Sequence, residues 1–266
     1  MREIICDTNI WYGLGNQSIL KPQGFKLIAT WINIIEIGFS HPEIKARLVP
    51  DECISASKAI LDYAERLIIF DPFAYATNKI VPDFILHPIP LESILIDISQ
   101  SGLPNAKAYH DHKACYDYFM TMKNHFAQAI NSEKSKIRKS ELQNNLSKEE
   151  FKNSDSSQIV EHSNGLLSDI KRYLKMEHNK QIDFSKLKGI NGTHEYIKEI
   201  FECYIITKQI FMKKFILDKC MKCQSNDFYD LLNLLYVDND KLFWTKEARW
   251  KAAFKEAKMS KYLYEQ

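Results

Sequence analysis

Glu3-Ile4-Ile5-Cys6-Asp7-Thr8-Asn9 is the stretch on which the reading of this 266-residue chain turns. Glu3 to Cys6 is short, largely apolar and β-branched, the pattern of a buried strand, and it stops at an acid. A short turn or helix is expected through Asn9-Ile10-Trp11-Tyr12. Gly13, Gly15, Pro22 and Gly24 then mark a loop. In a parallel sheet ligands bind at the carboxyl ends of the strands. Asp7 thus sits where a functional group would sit, although acids are also common in strand-ending turns.

Downstream, helical and strand patterns alternate. From about Phe25 to Ser40 the spacing of Trp31, Ile34, Ile35 and Gly38 predicts a helix. A second helix is expected from about Ser55 to Arg66, then a buried strand, Leu67-Ile68-Ile69-Phe70, closed by Asp71-Pro72. From about Thr77 to Asn105 prolines break the chain repeatedly. A helix from about Asn105 to Ile130 carries Tyr109, Tyr116, Phe119, Met120 and Phe126. Between about Asn131 and Lys188, Lys, Glu, Ser and Asn dominate, which predicts a solvated helical arm or a partly disordered insertion outside the main core.

The apolar pattern resumes in a long helix from about His194 to Lys222, with Ile197, Ile200, Phe201, Tyr204, Phe211 and Phe215 on its buried face. A short helix starts near Asp227, and Asp238-Asn239-Asp240 is a turn. Lys241 to Thr245 is a strand, and a last helix runs from about Lys246 to Lys258. Strands alternating with helices predict an α/β fold around a parallel sheet.

The composition narrows the function classes. Hydrophobic residues make up 45% of the chain and the formal net charge is +2, so any binding of nucleic acid must come from a local patch. No apolar run is long enough to cross a membrane. The first residues lack the apolar core of a signal peptide, and a cytoplasmic protein is expected. The six cysteines are scattered, which suits reduced thiols. Cys220-Met221-Lys222-Cys223 has no second pair to complete a zinc site. His110 and His112 would point to different faces of a helix. Neither a phosphate-binding glycine loop nor a Gly-x-Ser-x-Gly elbow is present.

Acids stand against apolar elements at several points. Glu36 lies within Trp31-Ile32-Asn33-Ile34-Ile35-Glu36-Ile37, where a buried carboxylate would want a cation and a solvent-facing one would not. Asp227 and Asp230 share the first turn of a helix, where they would also suit its dipole. Glu247 follows the strand that ends at Thr245, and the same dipole argument applies to it.

Taken singly each acid has an ordinary explanation; in this order they resemble the PIN domain nucleases. The resemblance rests on strand-Asp7-Thr8-Asn9, Glu36 in an apolar helix, Asp227-x-x-Asp230 opening a helix, and strand-Thr245-x-Glu247. Leu67 to Pro72 looks like the family's second strand. The likeness covers roughly residues 1–75 and 195–260. It implies a three-layer PIN-like fold with core parts at 1–105 and 195–266, separated by a helical, charged insertion at 106–194. Two features depart from the family. Glu247 stands where the family usually has aspartate, and the stretch between the second strand and the long helix is far longer than in the small toxins.

The resemblance implies an endoribonuclease acting on single-stranded RNA, with DNA-directed flap-like cleavage or a catalytically weak binding scaffold as alternatives. Asp7, Glu36, Asp230 and Glu247 would be the catalytic core, with Asp227 as an added metal ligand and Asn9 and Thr245 as supports. Mg²⁺ or Mn²⁺ would be the cofactor, since hard cations take oxygen ligands and acidify water. Partners would be RNA or single-stranded DNA, with an antitoxin-like protein as a further expectation and no membrane. Trp250, Ala253, Phe254 and Ala257 should face the core from the last helix. Arg249, Lys251, Lys255 and Lys258 would then be candidates to hold a nucleic-acid backbone, the alternative being a solvated lysine face.

Overall fold

The computed structural model describes residues 1–39, 50–82, 91–101, 117, 119–132, 134–135, 165–172, 174–175, 193–218 and 220–265. Its centre is a four-stranded sheet in the order β3-β2-β1-β4, with every pair parallel. The strands are β1 (Arg2–Cys6), β2 (Phe25–Thr30), β3 (Ala64–Ile68) and β4 (Lys241–Trp244). Ile4, Ile5 and Cys6 of β1 and Leu27, Ile28 and Ala29 of β2 are all fully buried. Such continuous burial means both faces of the central strands are covered, as crossover helices require. Helices flank the sheet: α1 (Thr8–Gly15), α2 (Trp31–Phe39), α3 (Asp51–Tyr63) and α4 (Pro72–Ile80) come from the first part of the chain. The fold is α/β, as the alternation of patterns predicts.

The helix expected from about Phe25 to Ser40 is in fact two elements, β2 and α2. Phe25 to Thr30 is a six-residue, mostly apolar run, and periodicity alone does not separate a strand from a helix at that length. Its place between β1 and β3 decides the matter, because two neighbours satisfy its backbone. The switch to helix is marked by a reciprocal bond pair akin to a capping box. The Thr30 N–H donates to Asn33 Oδ1 at 2.8 Å, and the Asn33 N–H donates to Thr30 Oγ1 at 3.5 Å.

The strand expected at Leu67 to Phe70 lies earlier, at Ala64–Ile68, and is third in the chain. Asp71 instead caps α4, accepting from the Phe73 and Ala74 N–H groups at 2.9 Å each. Between prolines, α5 (Glu92–Ser101) packs against α3. The long helix expected from His194 to Lys222 is split at Phe201 into α8 (Thr193–Ile200) and α9 (Glu202–Leu217). It is followed by α10 (Asp227–Asn233), and α11 (Ala248–Glu256) comes after β4. At the β4 edge, the Tyr264 N–H donates to the Phe243 carbonyl at 2.8 Å, so the C-terminal tail covers part of that edge.

Two helices come from the segment read as an insertion, α6 (residues 119–132) and α7 (residues 165–172). The Phe119 ring of α6 lies tilted 4.6 Å from Trp31 and stacks 5.8 Å from Phe73, centroid to centroid. Leu166, Leu167 and Ile170 of α7, with Leu174, are buried in the same core. The first of these helices, α6, falls on the helix expected from about Asn105 to Ile130. The second, α7, lies in the stretch whose charged composition predicted a solvated arm, and there a few apolar residues on one helix face are enough to dock it. His110, His112, Tyr109, Tyr116 and most of 131–188 lie outside the described residues. Among the described residues no helix is long and apolar enough to cross a membrane. Cys6, Cys53, Cys203, Cys220 and Cys223 are free thiols.

Candidate metal centre

Parallel pairing aligns Cys6 of β1 with Trp244 of β4, so the two strands end side by side. The Asp7 N–H extends the ladder by one bond, to the Trp244 carbonyl at 2.9 Å. Asp7 and Glu247 thereby leave the same end of the sheet from neighbouring strands. Asp230, on α10, points to the same place. One carboxylate oxygen each from Asp7, Asp230 and Glu247 lie within 4.8 Å of one another.

Neighbours fix the orientation of each acid. Thr245 Oγ1 donates to Asp7 Oδ2 at 2.8 Å, and the same hydroxyl accepts the Glu247 N–H at 3.1 Å. Asn9 Nδ2 donates to Glu247 Oε1 at 3.2 Å, and Arg249 Nε donates to Glu247 Oε2 at 2.8 Å. Trp250 Nε1 donates to Asp230 Oδ2 at 2.9 Å. Asn9 and Thr245, the two expected supports, are each bonded to an acid of the cluster.

Glu36 is outside the tight triad but lines the same cleft, of about 320 Å³, with Asp7, Thr8, Asn9, Asp230 and Glu247. The Thr8 hydroxyl donates to Glu36 Oε2. Thr8 is in turn braced by Asn33, whose Nδ2 donates to Thr8 Oγ1 at 3.1 Å. Asn33 Oδ1 accepts from Trp11 Nε1 at 3.3 Å and from Thr30 Oγ1 at 3.1 Å. A buried polar chain therefore runs from the end of β2 to Glu36. The sequence assigns no role to Asn33, and none to Thr8 beyond its place in the Asp7-Thr8-Asn9 motif. A signal for Asn33 is available in the sequence, since polar residues at Thr30 and Asn33, six and three positions before Glu36, interrupt an otherwise apolar stretch.

The electrostatics are those of acids short of cations. Burial pushes Asp7 up to about 6, Glu247 adds to the rise, and the bond from Thr245 opposes it. Burial also lifts Glu36 to about 7; the Thr8 bond pulls the other way and the charge of Asp7 adds. Asp230 lies well above the usual carboxylate range, first through burial, then through Asp7, Glu247 and Glu36. These are the shifts expected when like charges share a desolvated site.

Two expectations meet a different geometry. Asp227 does not line the cleft; it is fully buried, accepts from the Gln224 N–H at 2.7 Å and pairs with Arg249 Nη1 at 2.5 Å. Arg249 is turned inward, its guanidinium spanning Asp227, Asp230 and Glu247 rather than facing solvent. Its residue spacing suggested a basic stripe, but the nearest acids claim it. Lys251, Lys255 and Lys258 do not line the cleft either, and Lys255 pairs with Glu265 at 3.2 Å. The cleft instead receives a lysine that the sequence reading passed over, Lys123 of α6. Burial lowers the Lys123 pKa, and the charges of Glu36 and Asp230 work against that fall.

The donor set suits a hard divalent ion. All three converging ligands are carboxylate oxygens, the donors that hard ions such as Mg²⁺ and Mn²⁺ take. Mutual repulsion among the acids is the strain such an ion would relieve. Comparison of the chain with protein-family models, with curated proteins and with solved structures finds no match.

Proposed function

We propose that this protein is a metal-dependent phosphodiesterase of PIN-like design that cleaves single-stranded RNA. The observation that carries the reading is the convergence of Asp7, Asp230 and Glu247 at the shared carboxyl end of β1 and β4, with Glu36 in the same cleft. The order of these acids along the chain is the order that resembles the PIN nucleases. The four-stranded parallel sheet with helices around it is compatible with that family's three-layer arrangement.

Asp7, Asp230 and Glu247 would hold Mg²⁺ or Mn²⁺. When bound, the ion supplies Lewis acidity, neutralising phosphate charge and acidifying water. The chain's own groups do the rest. Thr245, Asn9, Arg249 and Trp250 keep the three carboxylates aimed at one point, so little reorganisation is needed at the moment of reaction. Glu36, with one oxygen engaged by Thr8, is the group placed to accept a proton from the attacking water. Asp227 serves by holding Arg249, which in turn holds Glu247 and Asp230.

The test is cleavage of matched single-stranded RNA and DNA oligonucleotides with Mg²⁺, with Mn²⁺ and with a chelator. Metal-dependent cutting of RNA that is absent in Asp7→Asn supports the proposal. Preferential cutting of DNA would retain the site and replace the substrate. No cutting of either under any metal would overturn the enzymatic reading.

A further inference from the structure

We propose that Lys123 binds the phosphate of the substrate and is the contribution of the 106–194 segment to the cleft. This rests on the phosphodiesterase reading above and extends it to a residue outside the acidic set. Among the described residues, those that line the cleft include five carboxylates, from Asp7, Glu36, Glu52, Asp230 and Glu247, and one cation, Lys123.

Lys123 is 7% exposed, and its ammonium stands 4.5 Å from the centre of the Tyr229 ring. That ring face is its partner: among the described residues Lys123 makes no ion pair or hydrogen bond. An ammonium drawn partly out of water without an anion is costly, and an aromatic face offsets only part of the cost. The contrast with Arg249 is informative. Arg249 is engaged by three carboxylates, whereas Lys123 lines the cleft with no anion bonded to it among the described residues.

The acids do not account for Lys123 as a counter-ion. Glu36 and Asp230 influence it through space without closing to a salt bridge. Divalent ions on the acidic cluster would cancel those charges and leave the ammonium facing an empty cleft. A phosphodiester, singly charged and rich in acceptor oxygens, supplies what is missing. A lysine acts on phosphate as a compact point charge with rotatable donors, which suits a group gripping a backbone without reading its sequence. The placement also gives α6 a function. Phe119 anchors the helix on Trp31 and Phe73, and Lys123 lies one turn further along on the side facing the site.

The experiment compares the wild type, Lys123→Met and Lys123→Arg as full-length chains. Mn²⁺ affinity is measured first, without nucleotide, and uridine 5′-monophosphate affinity second, at saturating Mn²⁺, both by calorimetry. Lys123→Met should bind the nucleotide about 10- to 100-fold more weakly. Its Mn²⁺ affinity should be unchanged or tighter, because a positive charge beside the acids is gone. Lys123→Arg should recover most of the nucleotide affinity. Equal nucleotide binding by wild type and Lys123→Met would overturn the proposal, and so would a wild type that binds no nucleotide. A wild type that binds no Mn²⁺ would sink the metal centre instead. Nucleotide binding measured without metal would then decide Lys123 separately: loss in Lys123→Met sustains it, and no loss overturns it.

Discussion

Two charged clusters stand at opposite ends of β4, and they are built in opposite ways. Before its first residue, Asp238 lies against Lys241 and 3.0 Å from Lys79, with the Tyr75 hydroxyl donating at 3.5 Å. Burial works to raise the Asp238 carboxyl, but the bonds from the two lysines outweigh it and hold it below the ordinary range. After its last residue, Asp7, Asp230 and Glu247 converge with Arg249 at their side, and burial and mutual repulsion carry Asp7 and Asp230 upward. The first cluster is electrically complete and reads as structure. The second is deficient in positive charge while its carboxylates are already oriented, and that deficit is what a divalent ion would fill.

The contrast is broken most severely at Asp7. Asp7→Asn removes one negative charge and one donor with almost no change of shape. Metal-dependent cleavage should fall by on the order of 10²–10³-fold or more, while circular dichroism stays that of the wild type. Near-normal cleavage would take Asp7 out of the mechanism. Next in size is Thr8→Val, which deletes the hydroxyl bonded to Glu36 and keeps the β-branched shape. A tenfold to hundredfold loss of kcat is expected, of the order seen when a group orienting a ligand is removed. Unchanged kcat would show that Glu36 needs no positioning.

The complete cluster should respond in stability alone. Asp238→Asn leaves Lys241, nearly buried, without its charged partner, and should cost about 2 kcal/mol in denaturant unfolding. Cleavage by the folded fraction should equal that of the wild type. A large loss of turnover would mean the two ends of β4 are coupled.

The smallest effect is the pH dependence of stability without metal. Asp7 titrates near 6 against an ordinary 3.8, and Glu36 near 7 against 4.5. Between those values the folded chain keeps protons that the unfolded chain has released. Their contribution to stability is therefore fully present below about pH 4 and is lost as pH rises through 6 to 7. In a chelator, the Tm at pH 8 should lie a few degrees below that at pH 5, and Mn²⁺ should recover it at pH 8. Asp7→Asn should flatten the slope. A chelated wild type with equal Tm at both pH values would contradict the shared-charge description.

Much of the site was legible in the sequence because strand ends are local signals. Ile4-Ile5-Cys6 stopping at Asp7, and Leu242-Phe243-Trp244 followed by Thr245 and Glu247, place the acids on the sheet without tertiary information. What was hidden depends on contacts. The sequence of β2 also fits a helix, because a short apolar run suits both periods until its neighbours are known. Arg249 was read as a nucleic-acid contact because its sequence neighbours are basic, whereas its spatial neighbours are Asp227, Asp230 and Glu247. Lys123 left no trace in the sequence, since one lysine in a polar helix is common. The apolar residues Phe119, Met120 and Phe126 mark the face of α6 that meets the core, but they do not show that Lys123 reaches the cleft.

The central claim, that the β1 and β4 ends form a divalent-cation site, is tested most directly by titrating Mn²⁺ into the chelator-treated protein at neutral pH and following free ion by electron paramagnetic resonance. The account predicts saturable binding by the wild type, at least tenfold weaker in Asp7→Asn, and undiminished in Asp238→Asn. Binding that is equally tight in Asp7→Asn, or no saturable binding by the wild type, would contradict it.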